Sequence, residues 1–231
     1  MTRNDFFQSI HQIWCQQWQI KQLDSPQPQI IKRDDWSDFA LLWTVNDQWQ
    51  VVSVAVPFYE QVVVAVAGKS RLTSADLSQN AQHNRVEFTF LYPDDLKTPS
   101  ISDDYVVCQL TTDDAALLEA LTAAVSDAER DEADVGIDHA LVYGVLYQDQ
   151  LVAAASMFPW GGFADLGVLT HPDYRGRGLG RAVVAALAKG VLAQNEIALY
   201  RYDANNHGSR KVSASLGFTP YMVRDRIDFT G

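Results

Sequence analysis

Apolar residues along this chain switch repeatedly between helical and strand spacing, and the switches predict its elements. Over residues 5–20, Phe6, Ile10, Ile13, Trp14 and Trp18 fall on one side of a helix, which Ser25-Pro26-Gln27-Pro28 breaks. Apolar runs at 39–45 and 50–56 read as paired strands around Asn46-Asp47. Pro57 opens a helix to Val66 and Gly68 closes it, in the proline-first, glycine-last order of helices. A short helix at 74–79 and a strand at 86–91 follow. Residues 92–104, with two prolines, little apolar content and a charge run, read as a linker. The boundary falls near residue 100 and predicts domains 1–100 and 101–231.

After the linker come a strand at 106–110 and a helix capped by Thr112-Asp113-Asp114 that buries Leu117, Leu118, Leu121 and Val125. An acidic helix at 127–133 precedes three strands at 139–147, 151–158 and 163–170. Gln148-Asp149-Gln150 and Pro159-Trp160-Gly161-Gly162 join them, and such short connections force antiparallel neighbours. A helix at 179–194 repeats Leu179, Val183, Leu187 and Val191, and the strand at 197–202 returns parallel to 163–170 after that crossover. A helix at 208–216 ends on Gly217 as a left-handed cap, before a last strand at 220–227. The predicted class is α/β (α+β): a mixed, mostly antiparallel sheet with a central parallel pair flanked by helices, plus a smaller N-terminal α/β domain.

Composition narrows the function. At 231 residues, 47% hydrophobic and 20% charged, the chain suits one large soluble domain or two small ones. Its two cysteines, Cys15 and Cys108, have no metal-binding spacing, so no metal, no structural disulfide and a reducing, cytoplasmic setting are expected. The N-terminus does not read as a leader or anchor, and the apolar windows 51–56 and 62–67 are split by Pro57 and Glu60. No membrane association is expected. A net charge of -11 argues against nucleic acid as a partner. The charge is unevenly spread: residues 101–162 hold twelve acids against Arg130 alone, whereas residues 163–231 hold nine bases against six acids.

The chemistry concentrates in that basic end. Arg175-Gly176-Arg177-Gly178-Leu179-Gly180 stands at the start of an apolar-periodic helix. A helix start leaves backbone N–H groups unpaired and carries partial positive charge, and glycines let a phosphate reach those amides without Cβ clashes. Taken alone, the turn is either a pyrophosphate site or a tight surface turn.

With its flanks, the turn resembles the Arg/Gln-x-x-Gly-x-Gly/Ala signature of the GCN5-related N-acetyltransferases. Thr170-His171-Pro172-Asp173-Tyr174 is similar to that family's approach to the turn. Asn206, Ser209, Val212 and Leu216-Gly217-Phe218 resemble its last conserved-type segment. The resemblance covers about residues 106–226 and implies acetyl coenzyme A as donor and co-substrate. It implies that backbone amides of Arg177, Gly178, Leu179 and Gly180 hold the pyrophosphate, with Gly176 also at the cofactor and Arg175 and Arg181 adding charge. It also implies that Val168, Leu169 and Thr170 pair with the pantetheine arm, which Asn206 and Ser209 meet from the other side.

Transfer to an amine also requires proton handling, since deprotonating an ammonium of pKa about 10.4 at neutral pH costs roughly 4.6 kcal/mol. Asp165 stands near where some family members hold a base, with Glu129 and Glu132 as alternatives through water, and each is otherwise a solvated carboxylate. Many members carry a tyrosine acid four residues before the Gly-Phe pair; here that position is Ser213. Tyr202 and His207 are the substitutes considered, set against packing and solvation as ordinary roles. The acidic stretch 127–134 steers a cationic amine toward the acceptor side, or only keeps a helix pair soluble. Trp160 either roofs an acceptor pocket or packs in the core. The expected function is an N-acetyltransferase acting by direct attack in a ternary complex. Its rival is a non-catalytic acyl coenzyme A sensor, and transfer of a longer acyl group is a third reading. The first hundred residues carry no motif and read as a degenerate copy of the acetyltransferase fold or as an accessory or dimerising domain.

Overall fold

The computed structural model describes residues 1–78 and 84–229. In chain order the elements are α1 (Arg3–Trp18), β1 (Gln29–Arg33), β2 (Phe39–Val45), β3 (Trp49–Ala55), α2 (Tyr59–Val66), α3 (Ser74–Leu77) and β4 (Asn84–Phe90). There follow β5 (Tyr105–Gln109), α4 (Ala115–Ala123), α5 (Asp127–Ala133), β6 (Leu141–Tyr147), β7 (Gln150–Trp160) and β8 (Phe163–Thr170). The chain ends with α6 (Leu179–Ala193), β9 (Ala198–Asp203), α7 (His207–Leu216) and β10 (Thr219–Asp228). The predicted end of the third helix at Gln79 lies outside the described residues. No helix among the described residues is long and apolar enough to cross a membrane.

Two compact units form. One takes residues from Met1–Phe88, Asp203–Asn205 and from Pro220 on; the other takes Thr89–Tyr202 and Asn206–Thr219. Residues 89–100 thus fall in the second unit and the final strand in the first, so the units are not consecutive blocks divided near residue 100.

In the first unit the strands run β1-β3-β2-β10-β4. Both faces of β2 and β3 are covered, which is why their sequences read as apolar runs rather than alternations. Ala40 and Leu42 meet Val62 and Val66 of α2 on one face. Trp43, on the other, lies 5.4 Å from Trp14, 5.8 Å from Trp18 and 5.8 Å from Phe88, measured between ring centres. Gln50 is buried and fully engaged: its amide donates to Thr44 Oγ1 and the Leu72 carbonyl, and its carbonyl oxygen accepts from Leu72 N–H. The edge strand β1, parallel to β3, is absent from the sequence reading.

The second unit orders its strands β9-β8-β7-β6-β5, antiparallel except for the parallel pair β8 and β9. The helix α6 covers one face through Leu179, Val183, Leu187 and Val191. The other face takes α4, whose Leu118 and Leu121 pack on Val142, Ala154 and Leu169. Thr111, one residue earlier than expected, caps the turn leading into α4.

The segment read as a linker is instead tied down. Leu96 and Ile101 pack on the core, and Lys97 N–H bonds the Leu216 carbonyl at 3.1 Å. Its low apolar content concealed two anchoring side chains. Gly217 closes α7 at φ 96° and lies so near this strap that a Cβ would stand 2.2 Å from the Asp95 carbonyl oxygen. Both the left-handed backbone and the contact therefore require glycine. Gly217→Ala is expected to lower the unfolding free energy by about 2 kcal/mol or more, from backbone strain plus overpacking. An unchanged urea midpoint would mean that the strap is not held there.

Candidate functional site

The site begins where two strands part. Ala164 and Asp165 of β8 pair with Ala198 and Leu199 of β9, and no further pairs join the two strands. On its other edge β8 stays paired with β7 through Thr170. Ala164 N–H bonds the Ile197 carbonyl, so the two-residue period of a strand turns Leu166 and Val168 toward the opening gap. Thr170 faces the same way, and its carbonyl accepts from Arg175 Nε at 3.2 Å.

A cavity of about 1020 Å³ occupies the gap, at the upper end of the range for small-molecule sites. The edge of β8 from Leu166 to Thr170, the turn before α6, and one side of α7 line it. At the turn, Gly178 caps α6 at φ 82° with no side-chain hydrogen bond. The first helical bond runs from Ala182 N–H to the Gly178 carbonyl, leaving the N–H groups of Leu179, Gly180 and Arg181 without carbonyl partners among the described residues. These are the donors an anionic diphosphate requires, backed by the helix dipole.

The two arginines of the turn are used differently. Arg177 points away: it donates to Tyr105 Oη at 2.9 Å and to the Asp173 carbonyl at 3.0 Å, and does not line the cavity. Arg175 does line it, tied at 2.7 Å to Glu129 of α5, and Arg181 is exposed at its rim. Of the positions implied for the donor, Val168, Leu169, Thr170, Arg175, Gly176, Gly178, Leu179, Gly180, Arg181, Asn206 and Ser209 all line the cavity. Only the Arg177 position is absent from that lining.

One wall of the cavity is set by an uncommonly close contact. A Cβ on Gly167 would stand 1.9 Å from the Ala133 carbonyl oxygen, so α5 lies directly on the β8 backbone. That approach puts Glu129 and Glu132 at the cavity. Ser126 caps α5 and, with Arg175, holds the Glu129 carboxyl below its ordinary pKa. Glu132 accepts from Asn206 Nδ2 at 2.9 Å, while Asn206 Oδ1 accepts from Ser209 N–H at 3.0 Å and caps α7. One asparagine thus orients a carboxylate and starts a helix.

Of the five positions considered for proton transfer, Glu129 and Glu132 line the cavity, whereas Asp165, Tyr202 and His207 do not. His207 is exposed at the start of α7. Tyr202 is buried in the α6 core. Asp165 is 2% exposed and ion-paired with Arg201 on β9. Burial pushes its carboxyl up to about 6 against the opposing pull of Arg201. Ser213 is also buried: Thr89 donates to the Tyr200 carbonyl at 2.7 Å, so the 3.0 Å contact between the two hydroxyls has Ser213 donating to Thr89.

Among the lining residues that the sequence did not single out are Tyr200, Arg201 and Lys211. Tyr200 is 2% exposed, and its buried hydroxyl lacks a hydrogen-bond partner of good geometry among the described residues, with the Ser209 side chain nearby. Burial raises its pKa well above that of an ordinary phenol. Tyr200 and Tyr202 share one face of β9, and their two-residue spacing decides which of them reaches the cavity.

A family model described as FR47-like protein matches residues 142–227. No curated protein matches the chain. A GCN5-related N-acetyltransferase from Kribbella flavida is similar at 16% identity, over 83% of this chain and 68% of its own, with a TM-score of 0.52. Two GNAT-family structures, from Novosphingobium aromaticivorans and Colwellia psychrerythraea, are 22% and 19% identical, with TM-scores of 0.46 and 0.49. They cover 65% and 67% of this chain, which spans 66% and 60% of their lengths. The sheet order, the parallel pair that parts, and the Kribbella match agree: the chain has the fold of the GCN5-related N-acetyltransferases.

Proposed function

We propose that this protein transfers an acetyl group from acetyl coenzyme A to an amine, by direct attack within a ternary complex in the cytoplasm. The observation that carries this reading is the continuity of one polar track. The free edge of β8 at Leu166 and Val168 leads to the unpaired N–H groups at the start of α6. A pantetheine arm carries amides that complete a strand edge, and a diphosphate completes a helix start. The cavity suits a ligand with both parts in that order.

In this reading Glu132, oriented by Asn206, takes the proton of the attacking ammonium, directly or through water. Asp165 is less suited, because it is enclosed and committed to Arg201. Tyr200 supplies a hydrogen bond to the departing thiolate. Its raised pKa keeps it neutral, and a thiol of pKa about 8.5 leaves without needing full proton transfer. Tyr200 would therefore act through its dipole in an enclosed site, as oxyanion donors do.

The rival reading, a non-catalytic sensor of acyl coenzyme A, draws on Ser213, which is buried against Thr89 in place of a tyrosine acid. The two readings separate in a thiol-release assay with an amine panel. On the enzyme reading, Glu132→Gln lowers kcat by about 10²- to 10⁴-fold. Tyr200→Phe lowers kcat by up to roughly 10²-fold with coenzyme A affinity retained. Coenzyme A binding with no amine turned over supports the sensor instead. For the donor itself, Gly178→Val is expected to abolish coenzyme A binding in calorimetry with the circular dichroism spectrum preserved. Unchanged affinity would place the diphosphate elsewhere.

A further inference from the structure

The closed end of the gap holds an arrangement that donor binding does not use. Asp165 stands at the last β8–β9 pair, five residues back along β8 from Thr170, or about 17 Å at strand spacing. Any ligand group beside it is far from the diphosphate turn. Arg201, two residues beyond the last pair on β9, lines the cavity there.

The guanidinium of Arg201 is held on two sides. Its Nε donates to the enclosed Asp165 carboxylate, and its carbon lies 4.5 Å above the centre of the Trp160 ring. Phe158 and Trp160 pair with Asp165 and Phe163 across β7 and β8, so the ring is carried by the same rigid sheet. The side chain is 29% exposed, and no partner among the described residues engages its terminal nitrogens. A planar fork, fixed in orientation and left with free donors at a cavity, matches a carboxylate in two-point contact.

Other charges at the cavity leave this site available. Glu129 is taken by Arg175 and Ser126, and Glu132 by Asn206, while Arg181 and Lys211 belong to the turn and to α7. The acidic character of residues 127–134, which suggested a cationic acceptor, thus supplies two carboxylates that already have partners at the cavity. One of them, Glu132, is suited to an ammonium, and Arg201 is the complementary cation.

We propose that Arg201 binds a carboxylate of the acceptor, so that the acceptor is an amino acid or a similar amine bearing a carboxylate. This rests on the acetyl-transfer reading above. The ammonium would lie toward Glu132 and the carboxylate in the Arg201 fork. Asp165 and Trp160 act as positioning residues, fixing the plane of that fork without touching the reacting atoms.

The test compares a set of amino acids with their carboxamides as acceptors, at saturating acetyl coenzyme A, with coenzyme A affinity measured separately by calorimetry. Wild-type protein is expected to favour acids over amides at least tenfold in kcat/KM, mainly through KM. Arg201→Gln should erase that preference and leave coenzyme A affinity unchanged. Because that variant leaves Asp165 enclosed without its partner, the double variant Asp165→Asn/Arg201→Gln provides a version with neither charge. It should show the same loss of preference. Equal rates on acids and amides, turnover of amides alone, or no turnover of any acid by protein that binds coenzyme A would overturn the proposal and leave the donor site standing. Failure to bind coenzyme A would overturn the donor reading instead.

Discussion

The separation of β8 from β9 after Asp165 is the constraint on which the rest of the site depends. Parallel strands ordinarily continue their ladder, and a half-paired strand in a protein interior leaves backbone groups without partners. Here the unpaired stretch opens onto a cavity, so the exposed edge becomes a binding surface rather than a defect. The elements beside it are arranged to keep it open. Arg175 takes the Thr170 carbonyl and ties that end of β8 to α5, and Asn206 ties α5 to the start of α7. Gly167 admits α5 against the strand backbone, where any side chain would push it away.

Much of this was legible in the sequence because the signals are local. The strands Phe39–Val45 and Phe163–Thr170 and the helix Asp127–Ala133 have the bounds that periodicity and capping suggest. The glycine turn announced itself because a helix start with φ 82° at its cap calls for glycine. Gly217 declared the end of α7 for the same reason.

What escaped depends on distant partners. The five residues of β1 carry no alternation of their own and become a strand only by pairing with Val51–Ala55. Residues 92–104 look like a linker until Leu96 and Ile101 find a core. In the site, the fate of Asp165 is decided by Arg201, thirty-six positions away, and that of Ser213 by Thr89. Tyr200 and Tyr202 are equivalent by composition and face, and only the point at which the strands part distinguishes them. A sequence shows which chemistry is present; the divergence of two strands selects which of it is used.

The central claim is that the β8 edge and the α6 start form one continuous coenzyme A track. Amide hydrogen exchange with and without coenzyme A tests it most directly, because the groups concerned are backbone N–H groups. Slowed exchange at Leu166, Val168 and the first residues of α6 together is the predicted result. Binding that protects amides elsewhere, with these unchanged, would contradict the account.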